Sequence, residues 1–161
     1  MQQQMHWQAK SGIESISLQA LERAWHMWTC KGGLPSRSLF DPMDFPDLLP
    51  WLILGEIADE PNAARPYDIL FRYVGRELAL YFNAANLTRM HLGELGAPFT
   101  ERWFAVYDAP IRSSAPCYFS GAPFGTGYEY VPLEILALPF AKVAAPEIGF
   151  VLTAFARMEI A

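Results

Sequence analysis

Apolar residues recur at steps of three and four from Ser17 onward, the spacing of one face of an α-helix. The stripe consists of Leu18, Leu21, Trp25 and Trp28. A glycine pair, Gly32-Gly33, follows it and is typical of a helix end. The pattern therefore predicts an amphipathic helix over residues 17–30, preceded by a flexible lead-in at residues 1–16.

The segment after this helix predicts a short helix that runs into a strand. Asp41 followed by Pro42 is typical of a helix start, because a carboxylate caps free N–H groups and proline fits the first helical position. Pro50 ends the helix, and the apolar run at 51–57 indicates a strand. We assign residues 17–50 to an N-terminal helical segment and 51–161 to the core, as one domain overall.

Strict alternation of side chains predicts the second strand. Tyr67, Ile69, Phe71 and Tyr73 fall on one face of it, and Gly75 breaks the pattern. A turn-rich loop joins this strand to the first, which favours a hairpin. Helices are predicted over 76–82 and 98–112, and further strands over 116–124, 128–139 and 148–158. Both faces of the last strand are apolar, so we expect it in the centre of the sheet.

Strands at both ends with helices between them predict an α+β fold, with an antiparallel sheet of five strands and helices on one face. The N-terminal amphipathic helix precedes this core. The chain is 52% apolar and 18% charged, with a net charge of −5 and no run of Lys or Arg. The absence of a basic stripe argues against nucleic-acid binding. No signal peptide or membrane-spanning stretch is expected, so a cytoplasmic protein with reduced Cys30 and Cys117 is the expectation.

Three motif groups resemble a family of stand-alone bacterial PAS-like proteins. They are Leu34-Pro35-x-Arg37-x-x-x-Asp41-Pro42 with Leu48-Leu49-Pro50-x-Leu52-x-Leu54-x-Glu56, then Phe71-Arg72-Tyr73-Val74-Gly75, and Asn86-Leu87-Thr88-x-x-x-Leu92-x-Glu94-Leu95. The strand that ends in Leu138-Pro139 is also similar to the family's penultimate strand. The resemblance covers residues 18–157 and implies a PAS fold with sheet order 2-1-5-4-3. Arg89 stands where the family usually has glycine, so this turn either differs or is strained.

The resemblance also defines which cofactors to test. Haem-binding PAS domains use an axial histidine, commonly on the long middle helix, and residues 98–112 contain none. Flavin photoreceptors of the LOV type use an Asn-Cys-Arg motif, and photoactive yellow protein attaches its chromophore to a cysteine. Neither context surrounds Cys30 or Cys117. No metal-ligand spacing is present either, so we predict no metal, no such cofactor and no catalytic residue.

With these cofactors excluded, the remaining candidate is a small non-covalent ligand. It would bind in the cavity that PAS domains form between the sheet and the middle helices. The expected lining residues are aromatic or polar: Arg72, Tyr73, Tyr81, Trp103, Tyr107, Tyr130 and Glu134, with Phe71 and Phe82 beside them. For the aromatic residues, we favour ordinary packing in the core over ligand binding. Arg72 needs an anion if it is buried, either Glu134 or an acidic ligand, and surface exposure is the other alternative.

The tryptophan-rich stripe of the first helix, Leu18, Leu21, Trp25 and Trp28, either forms a dimer or partner interface or covers the chain's own sheet. A single-domain PAS sensor or adaptor, homodimeric and acting through a protein partner, is the predicted function. The alternative is a small isomerase- or dehydratase-like enzyme with an acid/base pair, for which Asp108, Glu129 and Glu134 are the candidates. A structural subunit with a filled core is the third possibility.

Overall fold

A computed structural model describes residues 7–29, 32–59, 65–82, 87–96, 99–123 and 131–158. These residues form an α+β fold with six strands and three α-helices, which confirms the predicted fold class. The elements are β1 (Gln8–Lys10), α1 (Ile16–Trp28), β2 (Leu52–Ala58), β3 (Asp68–Val74), α2 (Arg76–Tyr81), α3 (Phe99–Ser113), β4 (Cys117–Gly121), β5 (Leu133–Ala141) and β6 (Ile148–Arg157). Short 3-10 turns stand at Arg37–Leu39, Pro42–Asp44, Leu49–Trp51 and Leu92–Leu95.

One antiparallel sheet contains all six strands, in the order β1-β4-β5-β6-β2-β3. The pairing confirms the β2–β3 hairpin and the central place of β6, which lies between β5 and β2. The sheet has six strands, one more than the five that were predicted. Strand β1 falls inside the lead-in that was predicted to be flexible, and three residues are too few for a visible alternation.

Helices cover both faces of the sheet. The two core helices lie on one face, as predicted, and the N-terminal helix α1 covers the other, which is one of the two roles considered for it. Helices α2 and α3 with the turn at Leu92–Leu95 pack on one side, hereafter the α3 face, and α1 with Phe40 and Leu48 packs on the other, the α1 face. All nine residues of β5 are buried as a result. Apart from Glu134, both faces of β5 are apolar because each faces a covering layer.

A β-bulge at Arg72 changes the face of one predicted site residue. Phe71 pairs with Gly55 and Tyr73 pairs with Leu54, so the backbone of Arg72 has no residue opposite it in the register of the hairpin. One extra residue reverses the alternation that follows it. Tyr73 therefore packs on the α1 face, and the prediction that it shares a face with Phe71 is wrong.

Helix α1 begins at Ile16, one residue before the predicted start at residue 17. Ser15 is the N-cap, and its Oγ accepts a hydrogen bond from Leu18 N at 3.4 Å. Asp41 caps as predicted, because its Oδ1 accepts from Met43 N at 2.9 Å. The short helix predicted after Asp41 is instead two separate 3-10 turns, since Pro46 and Pro50 each remove a backbone donor.

Two of the motif segments meet at Gly75. A Cβ atom on Gly75 would lie 2.2 Å from Pro50 O, which is far inside van der Waals contact. The Tyr73 hydroxyl donates to Leu49 O at 2.8 Å beside it. Glycine is required here because the end of β3 and the start of β2 approach backbone to backbone.

Arg89 adopts the left-handed conformation with φ 74°. Met90 N donates to Leu87 O at 2.9 Å, so Arg89 is the third residue of a closed β-turn, where a positive φ favours glycine. The chain therefore keeps the turn and accepts the strain, one of the two outcomes that the sequence left open.

Candidate functional site

Four aromatic side chains form a tight group on the α3 face, which we call the tryptophan cluster: Trp7, Phe82, Trp103 and Phe155. Trp7 and Phe82 each have their ring centroid 5.0 Å from that of Trp103. Phe155 of the central strand lies 5.9 Å from both Phe82 and Trp103. Edge-to-face and tilted contacts at these distances are favourable for aromatic rings.

Arg102 lies against the tryptophan cluster and is only 5% exposed. Its Cζ atom is 4.5 Å from the centre of the Trp7 ring, and its Nη2 donates to Ala122 O. Burial lowers the pKa of the guanidinium to about 10, because the interior solvates the charge poorly. Arg102 was not among the predicted site residues, although its four-residue spacing from buried Val106 on α3 is typical of an inward position.

Tyr107 is fully buried on the same face, and its hydroxyl contacts another buried polar side chain of the core. The hydroxyl is 3.5 Å from Thr153 Oγ1, which donates to Ile53 O at 3.2 Å. Burial raises the pKa of Tyr107, with the Thr153 hydrogen bond acting in the opposite direction. Tyr107 thus joins α3 to the central strands β6 and β2.

The predicted ligand-binding residues divide between the two faces. Tyr81, Trp103 and Tyr107 lie on the α3 face, with the Tyr81 ring 5.6 Å from Trp51. Residues Arg72, Tyr73 and Glu134 do not join them, and Tyr130 lies outside the described residues. The bulge moves Tyr73, and even-numbered positions of β5 place Glu134 on the α1 face with Leu136.

Arg72 pairs with Glu56 across the hairpin. Its Nη2 is 2.8 Å from Glu56 Oε1, and the Arg72 side chain is 53% exposed. Of the alternatives weighed for Arg72, the structure has an exposed ion pair, and Glu134 is not its partner.

Glu134 binds the N-terminal segment from a buried position, with 2% of its side chain exposed. Its carboxylate accepts from Lys10 Nζ at 2.9 Å, from Ser15 N at 2.6 Å and from Glu14 N at 3.1 Å. Burial by itself would raise the pKa of Glu134, but the bonds from Lys10, Ser15 and Glu14 outweigh it and lower the pKa below its usual value. The carboxylate is therefore a charged anchor for the start of α1.

The stripe on α1 packs on the chain's own sheet. Leu18 and Leu21 are fully buried, and Trp25 donates from Nε1 to Pro139 O at 2.8 Å. Trp28 is half-buried, with its ring 6.1 Å from Phe140. A dimer formed through this stripe would require α1 to leave the sheet, so that interface stays a prediction.

The acid/base candidates do not form a pair among the described residues. Asp108 accepts a hydrogen bond from the Tyr67 hydroxyl and lies 3.5 Å from Arg112 Nη1, on the α3 side. Burial and this hydrogen bond raise the pKa of Tyr67. Glu134 faces the opposite side of the sheet, and Glu129 lies outside the described residues.

Comparison with protein-family models, curated proteins and solved structures gives no significant match. Within the part of the chain that the structure describes, no cluster of His, Cys, Asp or Glu could hold a metal ion. None of the described helices has the length and apolar content needed to cross a membrane.

Proposed function

We propose that this chain is a PAS-type sensor or adaptor that regulates through protein–protein interaction. The order of the five later strands supports the proposal. Numbered from β2 to β6, they lie in the order 2-1-5-4-3, with α2 and α3 between the second and third of them. This is the order that the sequence resemblance implies, and β1 is an addition at the outer edge of β4.

The tryptophan cluster with Arg102 is the proposed ligand-binding region. A group of indole and phenyl rings favours a flat apolar molecule, and a guanidinium supplies N–H donors for an acidic or carbonyl group. We therefore propose a small non-covalent ligand with an aromatic body and an anionic or strongly accepting substituent, bound against Trp103.

Homodimerisation in the cytoplasm is part of the proposal. Ile16 and Met27 on the outer side of α1 are 79% and 76% exposed, and exposed large apolar side chains are what an interface would cover. Light scattering across a concentration series tests this part. A dimer mass that Met27→Lys converts to a monomer supports it, and a monomer at every concentration contradicts it.

The ligand site is tested with 1-anilinonaphthalene-8-sulfonate, a flat aromatic anion, titrated against the purified protein. We expect saturable binding that Trp103→Ala weakens at least tenfold. Trp28→Ala is the matched control, since Trp28 lies on the other sheet face and should leave the affinity unchanged. Absence of saturable binding, or equal effects of the two variants, would refute the site.

The enzyme alternative has less support. An isomerase- or dehydratase-like mechanism needs two acid/base groups that face one pocket. Asp108 and Glu134 lie on opposite sides of the sheet, and each already binds a cationic side chain.

A further inference from the structure

Residues 7–15, hereafter the strap, pass from one face of the sheet to the other. They do so at the sheet edge formed by β1, next to β4. Trp7 packs in the core of the α3 face, whereas Ile13 packs in the core of the α1 face. Between them, β1 pairs with β4, with Ala9 opposite Phe119 and Lys10 opposite Tyr118. The strap therefore contacts both layers that cover the sheet.

Trp7 is the first anchor of the strap. It is 8% exposed, contacts Trp103 and lies under the Arg102 guanidinium. Its ring also rests on Gly121 of β4, where a Cβ atom would lie 2.7 Å from Trp7 Cε3. A molecule that displaced rings of the tryptophan cluster would therefore act directly on Trp7.

Glu134 is the second anchor, and it acts as an N-cap partner supplied from a distant strand. In a capping box, a Glu at the third helical position accepts the N–H of the N-cap residue. That position of α1 holds Leu18, which is buried, and Glu134 of β5 accepts from Ser15 N in its place. The start of α1 is thus fixed by the central sheet and by the same carboxylate that binds Lys10 of β1.

Lys10 on β1 and Glu14 beside the N-cap both contact the Glu134 carboxylate. Only three residues of the chain separate these two contacts. We infer that the strap couples the tryptophan cluster on the α3 face to the attachment of α1 on the α1 face. Displacement of Trp7 shifts β1, weakens the Glu134 contacts and increases the fraction of molecules in which α1 is released. The ligand as the trigger rests on the proposed function, whereas the coupling itself can be tested by substitution alone.

Hydrogen exchange of the α1 amides measures the coupling in the full chain. We expect Trp7→Ala to accelerate exchange in α1 at least tenfold more than exchange in β6, although α1 lies on the opposite face. Phe71→Ala is the matched control, because Phe71 is buried in the same core of the α3 face, packs on Tyr107 and belongs to neither the tryptophan cluster nor the strap. Equal acceleration of α1 by both variants would mean general destabilisation and would overturn the inference. If Trp7→Ala does not fold, Trp7→Phe is compared with Phe71→Leu in the same way.

A longer strap provides the decisive variant. Two glycines inserted after Gly12, which has open space around its Cβ position, leave both anchors in place but slacken the connection. In this background, Trp7→Ala should change α1 exchange less than twofold, and an undiminished effect would refute the strap as the route. Loss of dye binding with coupling retained would contradict only the ligand site. Dye binding without coupling would contradict only the strap.

Discussion

Replacement of Glu134 by Gln tests whether this buried carboxylate stabilises the fold. The two carboxylate oxygens receive four contacts from three donors: Oε1 from Ser15 N and Glu14 N, and Oε2 from Lys10 Nζ and Glu14 N. A glutamine keeps one acceptor oxygen for Ser15 N, but its NH₂ group then faces the Lys10 ammonium and the Glu14 amide. Two donors that face each other cannot form a hydrogen bond.

The expected loss of stability follows from these contacts. The charge-assisted hydrogen bond from Lys10 is lost, and the bonds from Ser15 N and Glu14 N weaken because they then share one neutral amide oxygen; each change costs about 1–2 kcal/mol. Lys10 is 20% exposed and can turn towards water, which limits the penalty on its charge. We therefore expect Glu134→Gln to lower the free energy of unfolding by about 2–4 kcal/mol at pH 7.

Urea unfolding followed by far-UV circular dichroism measures the effect, with Glu147→Gln as the control. Glu147 pairs with Lys142 at 3.3 Å but is 67% exposed, and exposed pairs contribute less than about 1 kcal/mol. A loss for Glu134→Gln no larger than that for Glu147→Gln would refute the reasoning.

The pH dependence of this difference has a definite sign. The native pKa of Glu134 is lowered, so its contribution is fully present above the pKa of the unfolded chain, about 4.3. It is lost as pH falls through the lower native value. The stability difference between the wild type and Glu134→Gln should therefore be constant between pH 7 and 5.5 and shrink below pH 4. A difference that grows on acidification would contradict the assignment.

Substitutions at three further positions test local features of the fold by urea unfolding. Gly75→Ala should cost more than 3 kcal/mol, because its Cβ would lie 2.2 Å from Pro50 O, and a cost below about 1 kcal/mol would contradict that close approach. Arg89→Gly should stabilise the protein by about 0.5–1 kcal/mol by relieving the positive φ, while Arg89→Ala should not. Trp25→Phe should lower the free energy of unfolding by about 2 kcal/mol, because the hydrogen bond to Pro139 O and part of the packing are lost. A repacking of α1 would also change the near-UV circular dichroism spectrum.

The candidate site could be predicted only in part. The inward position of Trp103 and Tyr107 was predictable because apolar residues repeat along α3, and this periodicity is a local property of the sequence. Arg102 was missed because a charged residue on a helix is usually exposed, and only the packing of Trp7 over it decides otherwise. The sequence around Trp7 did not indicate that this residue is buried, since the segment shows no hydrophobic periodicity.

The sequence by itself determined the α+β class, the hairpin, the central place of β6 and the need for a capped start at Asp41, because periodicity and capping depend on neighbouring residues. Only the tertiary structure decided which face each side chain occupies. One bulge at Arg72 moved Tyr73 to the other side, and pairing across about 120 residues brought Glu134 to the start of α1. Such contacts depend on strand register and long-range packing, which no local pattern encodes.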